Sequence, residues 1–401
     1  MDNALFGNPL VRETENGIML DDVSLRTIAK NVPTPFYIML GKKIRDNINL
    51  LQEIARSFFP TIRISYSVKA NFMDLVVREV HDQNMTFDII SLYEFQILKR
   101  NSANCDNLIV GGPYLPDSLI DSALQEKNPL FVLYNQDQIQ RLNTKAKDKG
   151  CIPNALLRFI APKTQGHLGF TSNESTYAQL AEILPQCPNI NFQGVHSHYG
   201  TQINTIETYR KNIQYIAEIA KQLEMRGLFK IQIFNVGGGL PNAGALKENK
   251  LSSIFRVMKE EFNDQGFPDP KIIMEPGRYI VEDAGLFLME IISTSDDGHT
   301  CFVNSGTYNI PRFARNSLRF YNIDQPLSHY NQKTTIYGIV PSEEDILMKN
   351  YNFSSKNEIG NKIMVMNCGA YAYTFSTRFP YHVPSLVYIN NGSYKVHTIV
   401  P

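Results

Sequence analysis

Residues 62–71 read IRISYSVKAN, an apolar run that alternates with polar residues and leads into Lys69. Such alternation predicts a half-buried strand, with the charged residue at its carboxyl end. From this stretch to residue 275, short β-branched runs alternate with longer amphipathic stretches. The alternation is typical of βα units that build a parallel sheet.

Eight strands are predicted in this region. They are IRISYSV (62–68), TFDII (86–90), NLIV (107–110), LFVLY (130–134), ALLRFI (155–160), NFQGVHS (191–197), KIQIFNV (230–236) and KIIME (271–275). Eight parallel strands with helices between them can close into a (β/α)8 barrel. An open doubly wound sheet is the alternative, but no GxGxxG motif follows the first strand, which disfavours it.

The pattern differs on both sides of the barrel region. PFYIML (35–40) would be a ninth strand, so we expect it outside the barrel. After residue 281 the chain is rich in β signals, and VYINNGSYKV has an Asn-Gly turn typical of a hairpin. We therefore predict a segment 1–40 that joins the β domain, a cofactor-binding barrel at 41–280 and a mostly antiparallel β domain at 281–401.

Composition excludes several classes of protein. The 39 basic and 39 acidic residues balance among 401, unlike the basic surface of a nucleic-acid binder. No apolar run is long enough for a membrane span, and no signal peptide is expected at the N-terminus. Five scattered cysteines without a CxxC motif predict reduced thiols, a cytoplasmic protein and no cysteine-built metal site, so no metal is expected.

In a (β/α)8 barrel the active site forms at the carboxyl ends of the strands. The residues predicted there include Lys69, Arg158, the HSHYGT segment 196–201, the glycines 237–239 and the EPGR segment 275–278. Each is weak evidence alone, because a lysine at a strand end is usually an ion-pair residue. Together they offer a phosphate site, a lysine for an aldehyde and a carboxylate for a pyridine nitrogen. This combination indicates pyridoxal 5'-phosphate as the cofactor.

The same motifs resemble those of the fold-type III pyridoxal phosphate-dependent decarboxylases, the diaminopimelate/ornithine/arginine decarboxylase family, from about Pro35 to Tyr381. The resemblance implies an alanine racemase-like barrel with a β domain, and a homodimer with shared active sites. It implies cofactor contacts from Lys69 in SYSVKAN, Asp88 in FDIISLYE, His198 and Thr201 in HSHYGTQ, Gly238 and Gly239 in FNVGGGLP, Glu275, Gly277 and Arg278 in EPGR, and Tyr371 in NCGAY. Thr201 replaces the family's serine, and Asn235 stands where an aspartate is common.

Three of these residues would be catalytic. Lys69 would carry the cofactor as a Schiff base, His198 would stack on its ring, and Glu275 would keep the ring nitrogen protonated. A protonated ring is a strong electron sink and favours loss of CO2. Racemases of this fold place an arginine at the ring nitrogen, so Glu275 favours a decarboxylase.

The chain departs from the family in GIVPSEED (338–345). Pro341 stands where the resemblance expects a proton-donating cysteine, and Ser342 where it expects an acidic substrate ligand; Asp345 keeps the pattern. Arg312 matches an arginine that binds a second carboxylate in diaminopimelate decarboxylases. The predicted substrate ligands are therefore Arg312, Ser342 and Asp345, and the predicted substrate is an atypical amino acid or amino-acid conjugate from a specialised pathway.

Several alternatives stay open at this point. The α-carbon could receive its proton from a water, Lys69, His198 or Cys368. The chain could instead be a racemase, an oxidative decarboxylase-deaminase or a catalytically silent homologue that binds the cofactor. A barrel that binds a phosphorylated sugar without pyridoxal phosphate is a further possibility.

Overall fold

The computed structural model describes residues 3–162, 166–311, 317–325, 330–377 and 381–398, so Arg312 lies outside the described residues. The chain divides into two compact units. The barrel unit comprises residues 48–241 and 246–277, and the β unit comprises residues 1–47, 242–245 and 278–401. The domain limits expected from the sequence, at residues 40 and 280, stay a prediction.

The N-terminal part of the β unit opens with a small antiparallel sheet that the sequence analysis missed. Its elements and those that follow are β1 (Asn3–Leu5), β2 (Asn8–Thr14), β3 (Gly17–Leu20), β4 (Val23–Ser24), α1 (Leu25–Asn31), β5 (Phe36–Leu40) and α2 (Gly41–Phe58), the last continuing into the barrel unit. The turn at residues 15–16 joins β2 to β3. The Asn-Gly pair at 16–17 was a local signal for this hairpin.

The barrel unit alternates strands and helices from β6 to β13. They are β6 (Arg63–Ser67), α3 (Asp74–Asp82), β7 (Thr86–Ile89), α4 (Leu92–Arg100), β8 (Ile109–Gly111), α5 (Asp117–Ala123), β9 (Leu130–Leu133), α6 (Gln136–Lys149), β10 (Asn154–Phe159), α7 (Glu174–Ile183), β11 (Asn191–Ser197), α8 (Ile206–Met225), β12 (Ile233–Asn235), α9 (Glu248–Asp264) and β13 (Lys271–Met274). Consecutive strands pair in parallel, and β13 pairs with β6 to close the ring. The predicted barrel is confirmed.

Local sequence signals set the ends of the barrel helices. Ser91, Asn135 and Asn173 each accept a hydrogen bond from the N–H three residues ahead, so α4, α6 and α7 begin there. Helix α8 ends before Gly227, whose φ of 66° suits a glycine after a helix. Inside the barrel, the strands pack Ile109, Leu130, Val132, Tyr134, Leu156 and Ile273 into a buried core. Rigid strands of this kind fix the positions of the residues that follow them.

The rest of the β unit begins with a short helix and continues as a larger sheet. Its elements are α10 (Arg278–Val281), β14 (Gly285–Thr294), β15 (Thr300–Val303), β16 (Arg319–Asn322), β17 (Gln332–Tyr337), β18 (Ile346–Phe353), β19 (Lys362–Met366), β20 (Ser385–Asn390) and β21 (Ser393–His397). The order is β18-β17-β15-β14-β5-β20-β21, and β19 pairs with β14 and β16. Most pairs are antiparallel, and β5 lies in this sheet as expected for residues 35–40. Asn391 and Gly392 form the predicted hairpin turn, both with positive φ.

In the described part of the chain, no helix combines the length and the apolar character needed to cross a membrane.

Candidate active site

A hydrogen-bonded group of polar side chains lies at the carboxyl ends of the barrel strands. Lys69 is in the short turn Val68–Ala70 after β6, and its Nζ donates to Asp88 Oδ2 at 3.0 Å. Ser67 Oγ donates to the same Asp88 oxygen at 2.8 Å. Burial raises the pKa of Asp88, although the Lys69 ammonium opposes the shift. The structure thus brings Lys69, which follows β6, together with Asp88 on the neighbouring strand β7.

Glu275 follows β13 and is buried in the same group. Asn235 Nδ2 donates to its Oε1 at 2.5 Å, and His196 Nε2 donates to its Oε2 at 3.2 Å. Burial alone would raise the pKa of Glu275, but His196, Lys69 and Asn235 outweigh it and hold this pKa well below its usual range. Burial lowers the pKa of His196, so its ring is a neutral donor at pH 7. Glu275 is therefore an ionised carboxylate that the barrel fixes from two sides.

His198 lies beyond β11 and is partly buried. The N–H of Gly238 donates to its Nδ1 at 3.2 Å, which leaves the ring proton of a neutral imidazole on Nε2. Burial, helped by the charge of Arg158, lowers the pKa of His198 to about 3. The ring is thus uncharged over the whole physiological pH range. A neutral flat ring of this kind can stack on a flat aromatic ligand.

Three loops meet at the glycine run 237–239. A Cβ at Gly238 would lie 2.4 Å from the carbonyl oxygen of Glu275, and one at Gly239 would lie 2.4 Å from that of Gly200. A Cβ at Gly277 would lie 2.7 Å from that of Ala70. Packing against backbone carbonyls therefore requires Gly238 and Gly239, and packing against the Ala70 side chain requires Gly277, whatever these glycines bind.

Thr201 belongs to the loop that also contains Gly200. The N–H of Ile203 donates to the carbonyl of Gly239 at 2.9 Å, which ties the segment with Thr201 to the glycine run. The structure thus brings Thr201, Gly238 and Gly239 into one region of the barrel unit, as the phosphate-site prediction requires. Their role toward a phosphate stays a prediction.

Arg278 and Tyr371 lie together within the β unit. Arg278 starts α10, and its guanidinium lies 5.2 Å from the centre of the Tyr371 ring. Arg278 Nη1 donates to Glu282, and Asn242 Nδ2 donates to the other Glu282 oxygen at 2.8 Å. The sequence analysis missed Glu282, which lies one helical turn after Arg278 and fixes its side chain.

Asp345 anchors the loop 338–345 of the β unit. Its Oδ1 accepts from the N–H and the hydroxyl of Thr307 at 2.7 and 2.8 Å, and its Oδ2 accepts from the N–H of Val340 at 2.9 Å. The carboxylate is buried, whereas Pro341 and Ser342 are exposed. These contacts give Asp345 a role in holding the loop, and its role as a substrate ligand stays a prediction.

Two further residues lie at the rim. Arg158 was named from the sequence without a role, and Ser67 was overlooked. Ser67 bridges strands, since its Oγ contacts both Asp88 and the Glu275 carbonyl at 3.2 Å. Arg158 Nη1 donates to the Tyr134 hydroxyl at 2.7 Å and lies over that ring. The spacing of two between Ser65, Ser67 and Lys69 could have indicated a shared face.

Together, the barrel and the polar group at its rim define a (β/α)8 enzyme built around a lysine and a buried glutamate. Residues 45–282 match the family model described as pyridoxal-dependent decarboxylase, pyridoxal binding domain. The match covers more than half of the chain, so the chain belongs to the family of pyridoxal-dependent decarboxylases.

Relatives and a solved structure agree with this family. A diaminopimelate decarboxylase of Aquifex aeolicus is 24% identical, over 97% of this chain and 94% of the relative. An L-glutamyl-[BtrI acyl-carrier protein] decarboxylase of Niallia circulans is 22% identical, over 94% of each chain. The crystal structure of diaminopimelate decarboxylase from M. jannaschii, in co-complex with L-lysine, has a TM-score of 0.85 at 18% identity and covers 97% of this chain and 95% of that one. The last comparison supports the fold.

The cofactor of this family is pyridoxal phosphate, and the barrel unit fits it. The Lys69 side chain is 39% exposed, so it is not sealed inside the barrel. Glu275 offers an ionised, buried carboxylate, and His198 offers a neutral flat ring. An amine, a carboxylate and an aromatic surface are the groups that this cofactor's aldehyde, ring nitrogen and ring face require.

Glu275→Gln should destabilise the apoprotein by about 1–3 kcal/mol at pH 7, because the amide nitrogen would face a donor and leave it unsatisfied. The pKa of folded Glu275 is depressed to about 2, so its stabilisation is fully present above the ordinary glutamate pKa of about 4.5 and is lost progressively as the pH falls from there toward about 2. Thermal unfolding at pH 7 and pH 4 should therefore show a smaller gap between variant and parent at pH 4.

Glu94→Gln is the matched control. Burial raises the pKa of Glu94, so ionisation costs stability as the pH rises through that pKa, and this variant should gain relative to the parent from pH 4 to pH 7. A gap for Glu275→Gln that is unchanged or larger at pH 4 would contradict the depressed pKa.

Proposed function

We propose that this chain decarboxylates an atypical amino acid or an amino-acid conjugate in a specialised biosynthetic pathway. The observation that carries the proposal is the loop 338–345, which Asp345 anchors and on which Pro341 and Ser342 are exposed. The family resemblance places a cysteine and an acidic residue at these two positions. Proline has no proton to donate, and a serine cannot neutralise a distal ammonium group. A plain diamine precursor such as lysine or ornithine is therefore a poor fit.

In this proposal the barrel residues would hold the cofactor. Lys69 would bind its aldehyde, His198 would lie on its ring, and Glu275 would hold a proton on the ring nitrogen. The loop with Thr201, Gly238 and Gly239, together with Gly277, would offer N–H and hydroxyl donors to the phosphate. The contacts within the barrel unit support these roles, because they already orient His198 and Glu275.

Further cofactor contacts are proposed for three other residues. Asp88 would orient Lys69 through the 3.0 Å hydrogen bond. Arg278 and Tyr371 would add donors to the phosphate, since Glu282 and the contact between the Arg278 guanidinium and the Tyr371 ring fix their positions within the β unit. Bound in this way, the cofactor supplies an electron sink for the pair left on the α-carbon when CO2 departs.

The substrate class is inferred from Ser342, which cannot neutralise a charged group at the distal end of the substrate. The relative from Niallia circulans is named for a glutamyl group on an acyl-carrier protein. A substrate joined to a carrier through its distal group has no free charge there, so it would need no acidic residue at position 342. Arg312, Ser342 and Asp345 stay the proposed substrate ligands, with Ser342 the exposed one among the two that the structure describes.

The proton for the α-carbon must come from a group other than residue 341. Cys368 is a poor source, because it is buried against the carbonyl of Val365 and burial raises its pKa well above the usual value. Lys69, whose side chain is partly exposed at the barrel rim, is the better proposed donor. His198 is neutral and its pKa of about 3 makes its ring a weak proton reservoir.

Pro341 also favours a second candidate, oxidative decarboxylation with deamination. In that reaction an amino acid, O2 and water yield CO2, an aldehyde, ammonia and H2O2. Without a proton donor beside the α-carbon, electrons there would be open to O2.

Lys69→Ala should abolish the visible absorption that the purified parent shows with bound cofactor, because the conjugated linkage needs the lysine amine. Lys99→Ala, which removes an exposed lysine on α4, is the control and should keep the band. A parent without visible absorption after addition of pyridoxal phosphate would count against the cofactor assignment.

Turnover of free ornithine, lysine, arginine and diaminopimelate should be at least about a hundredfold slower than that of a carrier-linked or distally amidated amino acid. CO2, amine, aldehyde and H2O2 are measured in the same reactions. Amine without H2O2 supports decarboxylation, whereas aldehyde with H2O2 supports the oxidative alternative. Brisk turnover of any of the four free amino acids would refute the atypical substrate.

The protein is further proposed to be a cytoplasmic homodimer whose loop 338–345 serves the partner's site. Mixing Lys69→Ala with Ser342→Arg subunits should restore about a quarter of the parent activity, because half of the dimers would then contain one intact site. Each variant dimer alone, unmixed, is the control. A monomeric mass by light scattering, or no recovery on mixing, would contradict the shared site.

A further inference from the structure

Asn235 is the last residue of β12 and is fully buried beside Glu275. We propose that Asn235 is a positioning residue that gives Glu275 a hydrogen-bond donor at every pH, where an aspartate would need a bound proton. The inference rests on the proposed function only in assigning Glu275 to the ring nitrogen of the cofactor. It accounts for an asparagine at a position where the family commonly has an aspartate.

Both ends of the Asn235 amide are engaged, which fixes its orientation. Oδ1 accepts from the N–H of Gly237 at 2.9 Å, and Nδ2 donates to Glu275 Oε1 at 2.5 Å. The N–H of Gly237 needs an oxygen acceptor, so the amide nitrogen must face Glu275. One side chain therefore holds both the turn into the glycine run and the carboxylate.

Other charged and titratable groups also face Glu275. His196 on β11 donates to its second oxygen, and Lys69 after β6 contributes a positive charge. Among the described residues, Arg63 on β6, Asp88 on β7, Tyr134 after β9 and His198 after β11 also interact with it electrostatically. Asp88 already places one carboxylate in this buried group, so a further one would be costly.

An aspartate at position 235 could still accept from Gly237 through one oxygen. Its other oxygen would then face Glu275 Oε1 at the distance that the amide nitrogen now has. Two carboxylates so close share one proton, which raises the upper apparent pKa of the pair. With that proton the hydrogen bond is restored, and without it the pair repels.

The sign of the pH dependence follows from this pair. The carboxyl group that shares this proton would have a higher pKa in the folded protein than in the unfolded one. The stabilisation from the shared proton is therefore present at low pH and is lost as the pH rises. Asn235 carries its donor hydrogens permanently, so the parent lacks this loss. The amide thereby keeps Glu275 ionised and in place across the working range.

The test compares the parent, Asn235→Asp and Asn235→Ala between about pH 5.5 and about pH 8.5. Two quantities are measured: the Kd of the apoprotein for pyridoxal phosphate, by absorbance titration, and the melting temperature of the apoprotein. Asn235→Asp should match the parent at low pH and bind at least about tenfold more weakly at high pH, with a falling relative melting temperature. Asn235→Ala should be weaker at all pH values without that added slope.

If Asn235 only held the turn at Gly237, Asn235→Asp would follow the parent at every pH, because it keeps that acceptor. This result would overturn the inference. If none of the three proteins bound the cofactor, the proposed function would fail, while the melting temperatures would still decide the role of Asn235. If Asn235→Asp does not fold at high pH, a refolding yield that is normal at low pH supports the proposal, and one that is poor at both refutes it.

Discussion

The buried carboxylate of Glu275 is the constraint on which the candidate site depends. An ionised carboxylate in a dry interior costs several kcal/mol unless its oxygens are satisfied. Here His196 and Asn235 each donate to one oxygen, and Ser67 Oγ lies 3.2 Å from the backbone carbonyl oxygen of the same residue. These partners come from β11, β12 and β6, so the charge can be accommodated only when β13 lies among these strands at the correct register.

The close approach of backbone segments follows from the same geometry. Gly238 and Gly239 have no room for a Cβ, because carbonyl oxygens of Glu275 and Gly200 occupy that space. The N–H of Gly238 then reaches His198 and sets which ring nitrogen carries the proton. A motif that suggests an anion site from the sequence thus has a packing role that would hold even without an anion.

The β unit uses buried carboxylates in a comparable way. Glu282 fixes Arg278, and Asp345 joins the loop 338–345 to the backbone at Thr307. In both cases a charged group is buried among donors, which orients a neighbouring segment precisely. The exposed part of the loop carries Pro341 and Ser342, so a buried carboxylate holds a loop whose tip faces solvent.

The sequence by itself determined the barrel, because periodicity and turn signals are local and the eight predicted strands follow one another in order. It also placed Lys69, His198 and Glu275 at one rim, since strand ends share an edge in a parallel barrel. Two of the four strands of the N-terminal sheet, β1 and β4, are only three and two residues long, and the Asn-Gly signal of its β2–β3 hairpin was overlooked. The predicted substrate residue Arg312 lies outside the described residues.

Only the tertiary structure decided how these side chains interact. The pairing of Asn235 with Glu275 joins residues forty positions apart, and the engagement of Asp345 with Thr307 joins residues 38 apart. Local patterns carry no information on such contacts, since they arise where separate strands and loops pack. The depressed pKa of Glu275 follows from the same packing, because the shift of a pKa from the ordinary value of its residue type depends on burial and on partners.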